Sequence, residues 1–212
     1  MFDTIILLTG PVEEPVLGSI LQGHNPALSI RPAATLADVT ALAPELLDRS
    51  RLVAFCTEVV VPARVLDLLR FGAYNFHPGP PQFPGWGCAH FALHQGATDF
   101  GATVHVMIEK VDAGPIVGVE LFRIPPGAPA QDLEALAYAQ LAQLFRRLAP
   151  MLAAQADPLP QLPIHWSGEK CTRRRYAAIC AQSSPDESGT EHESQGHGRR
   201  PAAGVLTGKP VS

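Results

Sequence analysis

Three polar side chains that suit acyl-transfer chemistry stand in the middle of the 212-residue chain. Asn75 and His77 are two residues apart within segment 74–78, so in an extended strand their side chains point to the same face. Asp112 follows in a polar turn beside Gly114. An amide, an imidazole and a carboxylate can together stabilise a developing oxyanion and collect a proton. Because Asn-x-His alone is more often an ordinary strand end, spacing by itself does not establish a site.

The elements that would position these residues alternate between strands and helices. Apolar runs predict strands over 4–8, 28–31, 52–56, 73–77, 103–108 and 115–124, and amphipathic patterns predict helices over 13–21, 35–47, 65–69, 88–95 and 131–156. Helices between strands indicate parallel crossovers, while the turn at 109–114 indicates a hairpin. We therefore expect an α/β fold with a Rossmann-like, mainly parallel but mixed sheet and flanking helices. Ligands of such sheets lie beyond the carboxyl ends of the strands, where Asn75 and His77 stand.

Size and charge limit the classes of function. The chain has 46% hydrophobic residues, a net charge of −4 and a pI near 6.0, so no general basic field would attract nucleic acid or an anionic membrane. No apolar run reaches the ~18 residues of a membrane span, and we expect a cytoplasmic protein. We expect a catalytic domain over 1–156, an extension packing on it over 157–182, and a disordered tail over 183–212 that is poor in apolar residues.

Five motifs stand in a fixed order between about Leu52 and Phe122. They are Asn75-x-His77-Pro78, the loop ending Phe83-Pro84-Gly85, Ala89-His90 with Ala92-Leu93 and Gly96, Gly101-Ala102-Thr103-Val104-His105, and Val111-Asp112-Ala113-Gly114-Pro115-Ile116. In order and spacing they resemble the catalytic domain of 10-formyl-tetrahydrofolate-dependent formyltransferases. The resemblance implies a formyltransferase fold, and it assigns the catalytic triad to Asn75, His77 and Asp112.

The resemblance also implies the ligands. The formyl donor would be 10-formyl-tetrahydrofolate, and the acceptor would be an amine on a small molecule. Backbone of two segments would hold the folate, at Val59, Val60, Val61, Met107, Ile108, Glu109, Val111 and Asp112. Gly79, Pro80 and His90 would lie on the acceptor side. In this chemistry, Asn75 and a protonated His77 would stabilise the oxyanion, and Asp112 would keep the imidazole charged and relay the amine proton.

Other polar groups have plainer interpretations. His90 and His94 have the i, i+4 spacing of helical metal ligands, but no third ligand accompanies them, and we expect no metal. His105 alternates with two valines and is expected to be a strand histidine near the triad. The basic group of Lys170 and residues 173–175 is expected to be a solvated helix face.

Two departures from the family pattern bear on the acceptor. The first strand-to-helix turn is Gly10-Pro11-Val12-Glu13-Glu14, whereas the glycinamide ribonucleotide enzymes have a Gly-Ser-Asn phosphate loop there. The loop from His77 to Gly85 is one residue shorter than the usual family pattern and carries Gly-Pro-Pro. We therefore expect an acceptor other than glycinamide ribonucleotide or tRNA, such as an amino sugar or an amino acid derivative. A hydrolase of 10-formyl-tetrahydrofolate and a non-catalytic folate-binding protein remain as alternatives, and the sequence does not predict an oligomeric state.

Overall fold

The computed structural model describes residues 1–183 of the chain. Within this part the elements, in order, are β1 (Thr4–Leu8), α1 (Glu14–His24), β2 (Ser29–Ala33), α2 (Leu36–Thr40), α3 (Pro44–Asp48), β3 (Ser50–Phe55), α4 (Ala63–Leu66), β4 (Ala73–His77), α5 (Cys88–His94), β5 (Asp99–Val106), β6 (Ile116–Arg123), α6 (Ala130–Ala154) and α7 (Arg173–Ser183). The predicted disordered tail lies, apart from Ser183, outside the described residues.

The strands form one sheet in the order β2-β1-β3-β4-β5-β6. The pairs β1–β2, β1–β3 and β3–β4 are parallel, while β4–β5 and β5–β6 are antiparallel. The predicted mixed, mainly parallel sheet with flanking helices is therefore confirmed. The carboxyl ends of β3 and β4 lie side by side. The loop from β5 to β6 begins beside the start of β4, and Asp112 of this loop lies next to His77 at the end of β4.

Alternation along β4 decides which side chains remain available for chemistry. Tyr74 and Phe76 enter the main apolar core under α1 and α6, where the ring centroids of Phe76 and Phe145 are 5.3 Å apart. Because successive strand residues point to opposite faces, Asn75 and His77 face away from this core. The burial of two aromatic rings on one face of β4 thus fixes the direction of the two polar side chains on the other.

The structure corrects four details of the predicted elements. The single helix predicted over 35–47 is wrong, because α2 and α3 are separate; Ala43 is extended before Pro44, as a residue preceding proline prefers. Strand β5 begins at Asp99 and ends at Val106, so the connection to β6 is the loop 107–115 and not a tight turn. The proline at position 150 predicts a kink or an end of α6 there; the helix does not end at Pro150 but continues to Ala154, with Pro150 on its exposed side.

Arg51 ties the end of α6 to the sheet. Its side chain is fully buried, with the guanidinium carbon 4.9 Å from the centre of the Phe2 ring. The guanidinium donates to backbone carbonyls of Phe71, Met151, Leu152, Gln155, Ala156 and Asp157. These contacts satisfy carbonyls that a helix end leaves without intrahelical partners, and they fix where the chain leaves α6.

After α6 the chain runs from the start of β4 to the loop that follows β4, and we call residues 158–172 the cover segment. The Leu159 amide donates to the Tyr74 hydroxyl at 2.9 Å. Farther along, the Ser167 amide donates to the Pro81 carbonyl at 3.0 Å and the Cys171 amide donates to the Pro84 carbonyl at 2.7 Å. The cover segment is therefore held against the loop that follows β4.

Candidate active site

The end of β4 presents Asn75 and His77 at the edge of the sheet. Asn75 is half-buried, and His77 is 6% exposed. The imidazole packs against the next turn of chain, since a Cβ atom on Gly79 would lie 2.6 Å from His77 Nε2 and 2.8 Å from Cys88 Sγ. Only glycine fits at position 79 without moving the imidazole, so this turn fixes the ring in place.

Asp112 reaches the same place from the loop 107–115. It has a left-handed backbone with φ of 50°, which aspartate tolerates better than most residues. Its Oδ2 accepts a hydrogen bond from the Gly85 amide at 2.9 Å and lies 3.8 Å from His77 Nδ1. The loop after β4 and the loop after β5 are thus joined through the Asp112 carboxylate.

His105 connects the other two polar groups. It stands opposite Asn75 in the β4–β5 register, so the two side chains share a face. Its Nε2 lies 3.2 Å from Asn75 Nδ2 and 3.2 Å from Asp112 Oδ1, and its Nδ1 lies 2.9 Å from the Val106 carbonyl oxygen. His105 is therefore an integral part of the cluster and not only a strand histidine beside it.

The hydrogen-bond partners of His105 limit which of its ring nitrogens can carry a proton. The Val106 carbonyl can only accept, so Nδ1 carries a proton. In the neutral ring, Nε2 accepts from the Asn75 amide group; in the charged ring, Nε2 donates to Asp112. In the neutral arrangement, Asn75 keeps a second N–H to donate elsewhere. Nε2 of His105 thus lies within hydrogen-bond distance of both Asn75 and Asp112.

The Asp112 carboxylate is stabilised as an anion. Burial acts to raise its pKa, but His77, a hydrogen bond and charge from His105, and the Gly85 amide outweigh burial and hold the pKa below its usual range. The 7% exposed carboxylate is therefore ionised and can accept a proton, while the donors that stabilise the anion also make it a weaker base.

The expectation that Asp112 keeps His77 protonated is corrected. Burial lowers the pKa of His77 below its ordinary value, and this exceeds the opposing effects of the Asp112 charge and of a backbone hydrogen bond at Phe83; the nearby His105 adds to the lowering. His77 is therefore neutral near pH 7 and has one ring N–H to donate, and the His77 charge that lowers the Asp112 pKa is present only at acid pH. Desolvation, which a sequence does not reveal, is the reason for the difference.

A cavity of about 450 Å³, the first cavity, opens in front of this cluster. Its lining brings together most of the predicted site residues: Asn75, His77, Asp112, Val59, Val60, Val61, Met107, Ile108 and Val111. Glu109, Gly79, Pro80 and His90 are not among its lining residues; His90 instead packs on Tyr176, with ring centroids 4.8 Å apart.

The cavity wall also includes residues that the sequence did not assign to it, among them Lys170 and Arg173, which were expected on a solvated helix face. Trp86, Lys170 and Arg173 form part of the wall, and Arg173 pairs with Glu58 at 2.8 Å. Trp166 of the cover segment lies over the cluster, with its ring centroid 5.1 Å from that of His105 and 5.9 Å from that of His77. The antiparallel register could have revealed His105, but the path of the cover segment depends on tertiary contacts.

Within residues 1–183, no cluster of three or more histidine, cysteine, aspartate or glutamate side chains is arranged to hold a metal ion. In the same part of the chain, no helix has the length and apolar character needed to cross a membrane.

The architecture, a mixed α/β sheet with a polar cluster facing a cavity at its carboxyl edge, is that of an enzyme acting on small molecules. Comparison with known families makes this more specific. Residues 23–147, more than half of the chain, match the family model described as formyl transferase. The chain therefore belongs to the formyltransferase family, a family of group-transferring enzymes.

Individual relatives agree with this assignment. A methionyl-tRNA formyltransferase from Aromatoleum aromaticum is 31% identical over 168 residues, which are 77% of this chain and 51% of that protein. The chain thus spans about half the length of this curated relative.

Solved structures show the same fold. A sugar N-formyltransferase from a Shewanella species superposes with a TM-score of 0.73 at 15% identity, covering 90% of this chain and 84% of that one. The formyltransferase PseJ from Anoxybacillus kamchatkensis, solved with a UDP-linked formamido sugar and tetrahydrofolate, gives 0.67 at 13% identity, covering 85% and 92%. At such identities the likeness establishes the fold alone.

Proposed function

We propose that this protein transfers a formyl group from 10-formyl-tetrahydrofolate to the amine of a small-molecule acceptor. The observation that carries the proposal is the meeting of Asn75, His77, His105 and Asp112 at the wall of the first cavity. The family assignment supports formyl transfer to an amine, and the solved relatives that contain tetrahydrofolate or its formyl derivative support a folate donor.

The first cavity fits a folate ring system. Its volume of about 450 Å³ lies within the range of small-molecule sites. Aliphatic side chains of residues 59–61 and of Met107 and Ile108 line one part, while the polar cluster lines another. A flat heterocycle among the aliphatic residues would direct an attached formyl group toward the polar cluster.

The polar residues then have distinct tasks. The bound donor supplies an electrophilic formyl carbon attached to N10. Asn75, through an amide N–H, and His77, through the single ring N–H of its neutral form, donate to the formyl oxygen as negative charge gathers there. The acceptor nitrogen bonds to the formyl carbon and loses a proton to Asp112. The bond from that carbon to N10 breaks, and the proton passes to N10, so that charge and protons balance.

The acceptor is proposed by class. Several structural relatives are sugar N-formyltransferases, and two are described with dTDP-3-aminofucose or with dTDP present. The first helix of this chain begins beside Glu13 and Glu14, where carboxylates would repel a phosphate. An amino sugar, or an amino acid derivative, that binds away from this helix is the acceptor class we propose.

A consumption assay tests the proposal. Purified protein is incubated with 10-formyl-tetrahydrofolate, with and without a panel of amino sugars, sugar nucleotides and amino acids, and both tetrahydrofolate and formylated amine are quantified. Equal amounts of the two products, formed only with an amine, are expected. Loss of the formyl group without an amine would indicate a hydrolase. Binding of the folate without turnover would indicate a binding protein, and the absence of folate binding would refute the proposal.

A further inference from the structure

We propose that the ring of Trp166 keeps water away from the reacting formyl group, so that the bound donor passes its formyl group to an amine and not to water. This inference rests on the proposed formyl transfer and adds to it the residue that selects between the two nucleophiles.

The polar cluster does not make this selection by itself. Asn75 and His77 stabilise the same negative charge on the formyl oxygen whether an amine or a water attacks the carbon, and Asp112 can accept a proton from either. If water attacks, its oxygen bonds to the formyl carbon, one of its protons passes through Asp112 to N10, and the bond from the carbon to N10 breaks. The products are tetrahydrofolate and formic acid, which ionises to formate. The outcome is therefore set by which molecule can reach the carbon.

A second cavity, of about 520 Å³, lies beside the first. Its walls come mainly from the end of the loop 107–115 and from the cover segment. Val111, Asp112 and Lys170 line both cavities, so a single layer of residues separates the two there. A space of this size that is lined by charged side chains admits water. The second cavity would therefore bring water close to the polar cluster if nothing else closed it.

Trp166 stands between the second cavity and the two histidines. Its side chain lines that cavity, and its ring centroid lies 5.1 Å from that of His105 and 5.9 Å from that of His77, both edge to face. At these separations aromatic rings are in contact, and no layer of water fits between them. The indole also donates from Nε1 to the Gly114 carbonyl at 2.8 Å. With this side closed, an amine reaches the formyl carbon from the side of the first cavity.

The backbone that follows Trp166 is held closely against the loop after β4. The Ser167 amide donates to the Pro81 carbonyl at 3.0 Å. Gly168 has a left-handed backbone with φ of 82°, and a Cβ atom there would overlap the Gln82 carbonyl oxygen, so only glycine allows the chain to approach this closely. Trp166 is therefore fixed by this backbone as well as by its own hydrogen bond, and it forms a permanent wall of the site.

Shortening the side chain at position 166 tests the inference. Trp166→Phe retains a ring over the histidines but loses the hydrogen bond to Gly114, while Trp166→Leu and Trp166→Ala remove progressively more of the cover. Ile164→Ala is the matched control, because Ile164 is an exposed residue of the same segment and lines the same cavity. Each protein is checked for folding by circular dichroism and for folate binding by equilibrium dialysis. It is then incubated with 10-formyl-tetrahydrofolate in a buffer without amines, and formate and tetrahydrofolate are quantified.

Formate release should be about tenfold or more faster in Trp166→Ala than in the unmutated protein, with Trp166→Leu between the two. Trp166→Phe and Ile164→Ala should stay within about threefold of the unmutated protein. A role confined to holding the loop of Asp112 predicts the opposite direction, because a displaced Asp112 slows attack by any nucleophile. Unchanged or slower formate release in Trp166→Ala and Trp166→Leu, or an equal rise in Ile164→Ala, would overturn the inference.

The imidazole of His77 gives a second measurement, which needs no folate. Burial lowers the pKa of His77. The titratable groups that face its ring are Asp112, His105 and Cys88. When Trp166→Ala admits water to the ring, the His77 pKa should rise toward its ordinary value, because hydration stabilises the charged form. The pKa is followed by NMR, with the His77 signal assigned by its absence in His77→Asn. Ile164→Ala should leave the pKa unchanged, and an unmoved pKa in Trp166→Ala would overturn the inference.

The inference and the proposed function fail on different results. If the unmutated protein binds no 10-formyl-tetrahydrofolate but the His77 pKa rises in Trp166→Ala, the proposed formyl transfer fails, while the exclusion of water by Trp166 stands. If the unmutated protein formylates an amine but Trp166→Ala shows neither faster formate release nor a higher His77 pKa, the inference fails and the proposed function stands.

Discussion

Replacing His105 tests whether this histidine positions Asp112. In His105→Phe a ring of similar size fills the 3% exposed site, but the contact to Asp112 Oδ1 at 3.2 Å is lost. Hydrogen bonds to charged groups contribute about 1.5–3 kcal/mol. If the full effect reaches the transition state, kcat/KM for formyl transfer falls roughly 10- to 150-fold. His105→Gln, which retains an N–H donor, should recover part of the loss.

The pH profile separates this role from a purely structural one. Because Asp112 must be ionised to accept a proton, activity is lost as pH falls through its pKa, which His77 and His105 hold below the usual range. Without His105 that pKa rises, so the acidic limb of kcat/KM moves to higher pH. His94→Phe, an exposed histidine of α5, should change neither quantity. A His105→Phe enzyme with kcat/KM within about twofold of the unmutated protein and an unmoved acidic limb would refute this reasoning.

Three further predictions concern catalysis, stability and protonation. Turnover should fall about a hundredfold or more, with an unchanged circular dichroism spectrum, in each of the variants Asn75→Ala, His77→Ala and Asp112→Ala. Activity close to that of the unmutated enzyme in any one variant would remove that residue from the triad. Arg51→Met should lower the free energy of unfolding in urea by roughly 3–5 kcal/mol, because it leaves several carbonyls at the end of α6 without a donor. The control Arg49→Gln, which breaks an exposed ion pair, should lower it by about 1 kcal/mol or less. Similar losses in the two variants would contradict the assigned role of Arg51. Because burial lowers the His77 pKa, protonation of His77 favours the unfolded chain, and the free energy of unfolding should fall as pH drops below about 6.5. His77→Asn should weaken this pH dependence. An identical pH dependence in the two proteins would contradict a lowered His77 pKa.

The sequence predicts the sheet well because its signals are local. Strand β4 is predicted with its observed bounds, since a short alternation of aromatic and polar residues is a local signal that needs no tertiary information. Pro44 shows the limit of the pattern: helical spacing continues across 35–47, but the backbone preference before proline breaks the helix. Local sterics there override the hydrophobic period.

The sequence predicts only those site residues that follow from strand alternation, from strand pairing or from the family motifs. Asn75 and His77 follow from alternation, and the motif resemblance pointed to Asp112. The antiparallel pairing of β4 with β5 would have placed His105 opposite Asn75, so this residue was accessible in principle. Trp166 was not, because its position depends on the Arg51 contacts at the end of α6 and on backbone pairing between the cover segment and the loop after β4. The protonation of His77 depends on burial and cannot be read from residue types.

A structure of the protein with a bound formyl-tetrahydrofolate tests the central claim most directly. The folate ring system is expected in the first cavity, against residues 59–61 and Met107, with the formyl oxygen about 3 Å from Asn75 Nδ2 and His77 Nδ1. A folate bound outside the first cavity, or a formyl oxygen beyond hydrogen-bond reach of both Asn75 and His77, would contradict the proposed mechanism.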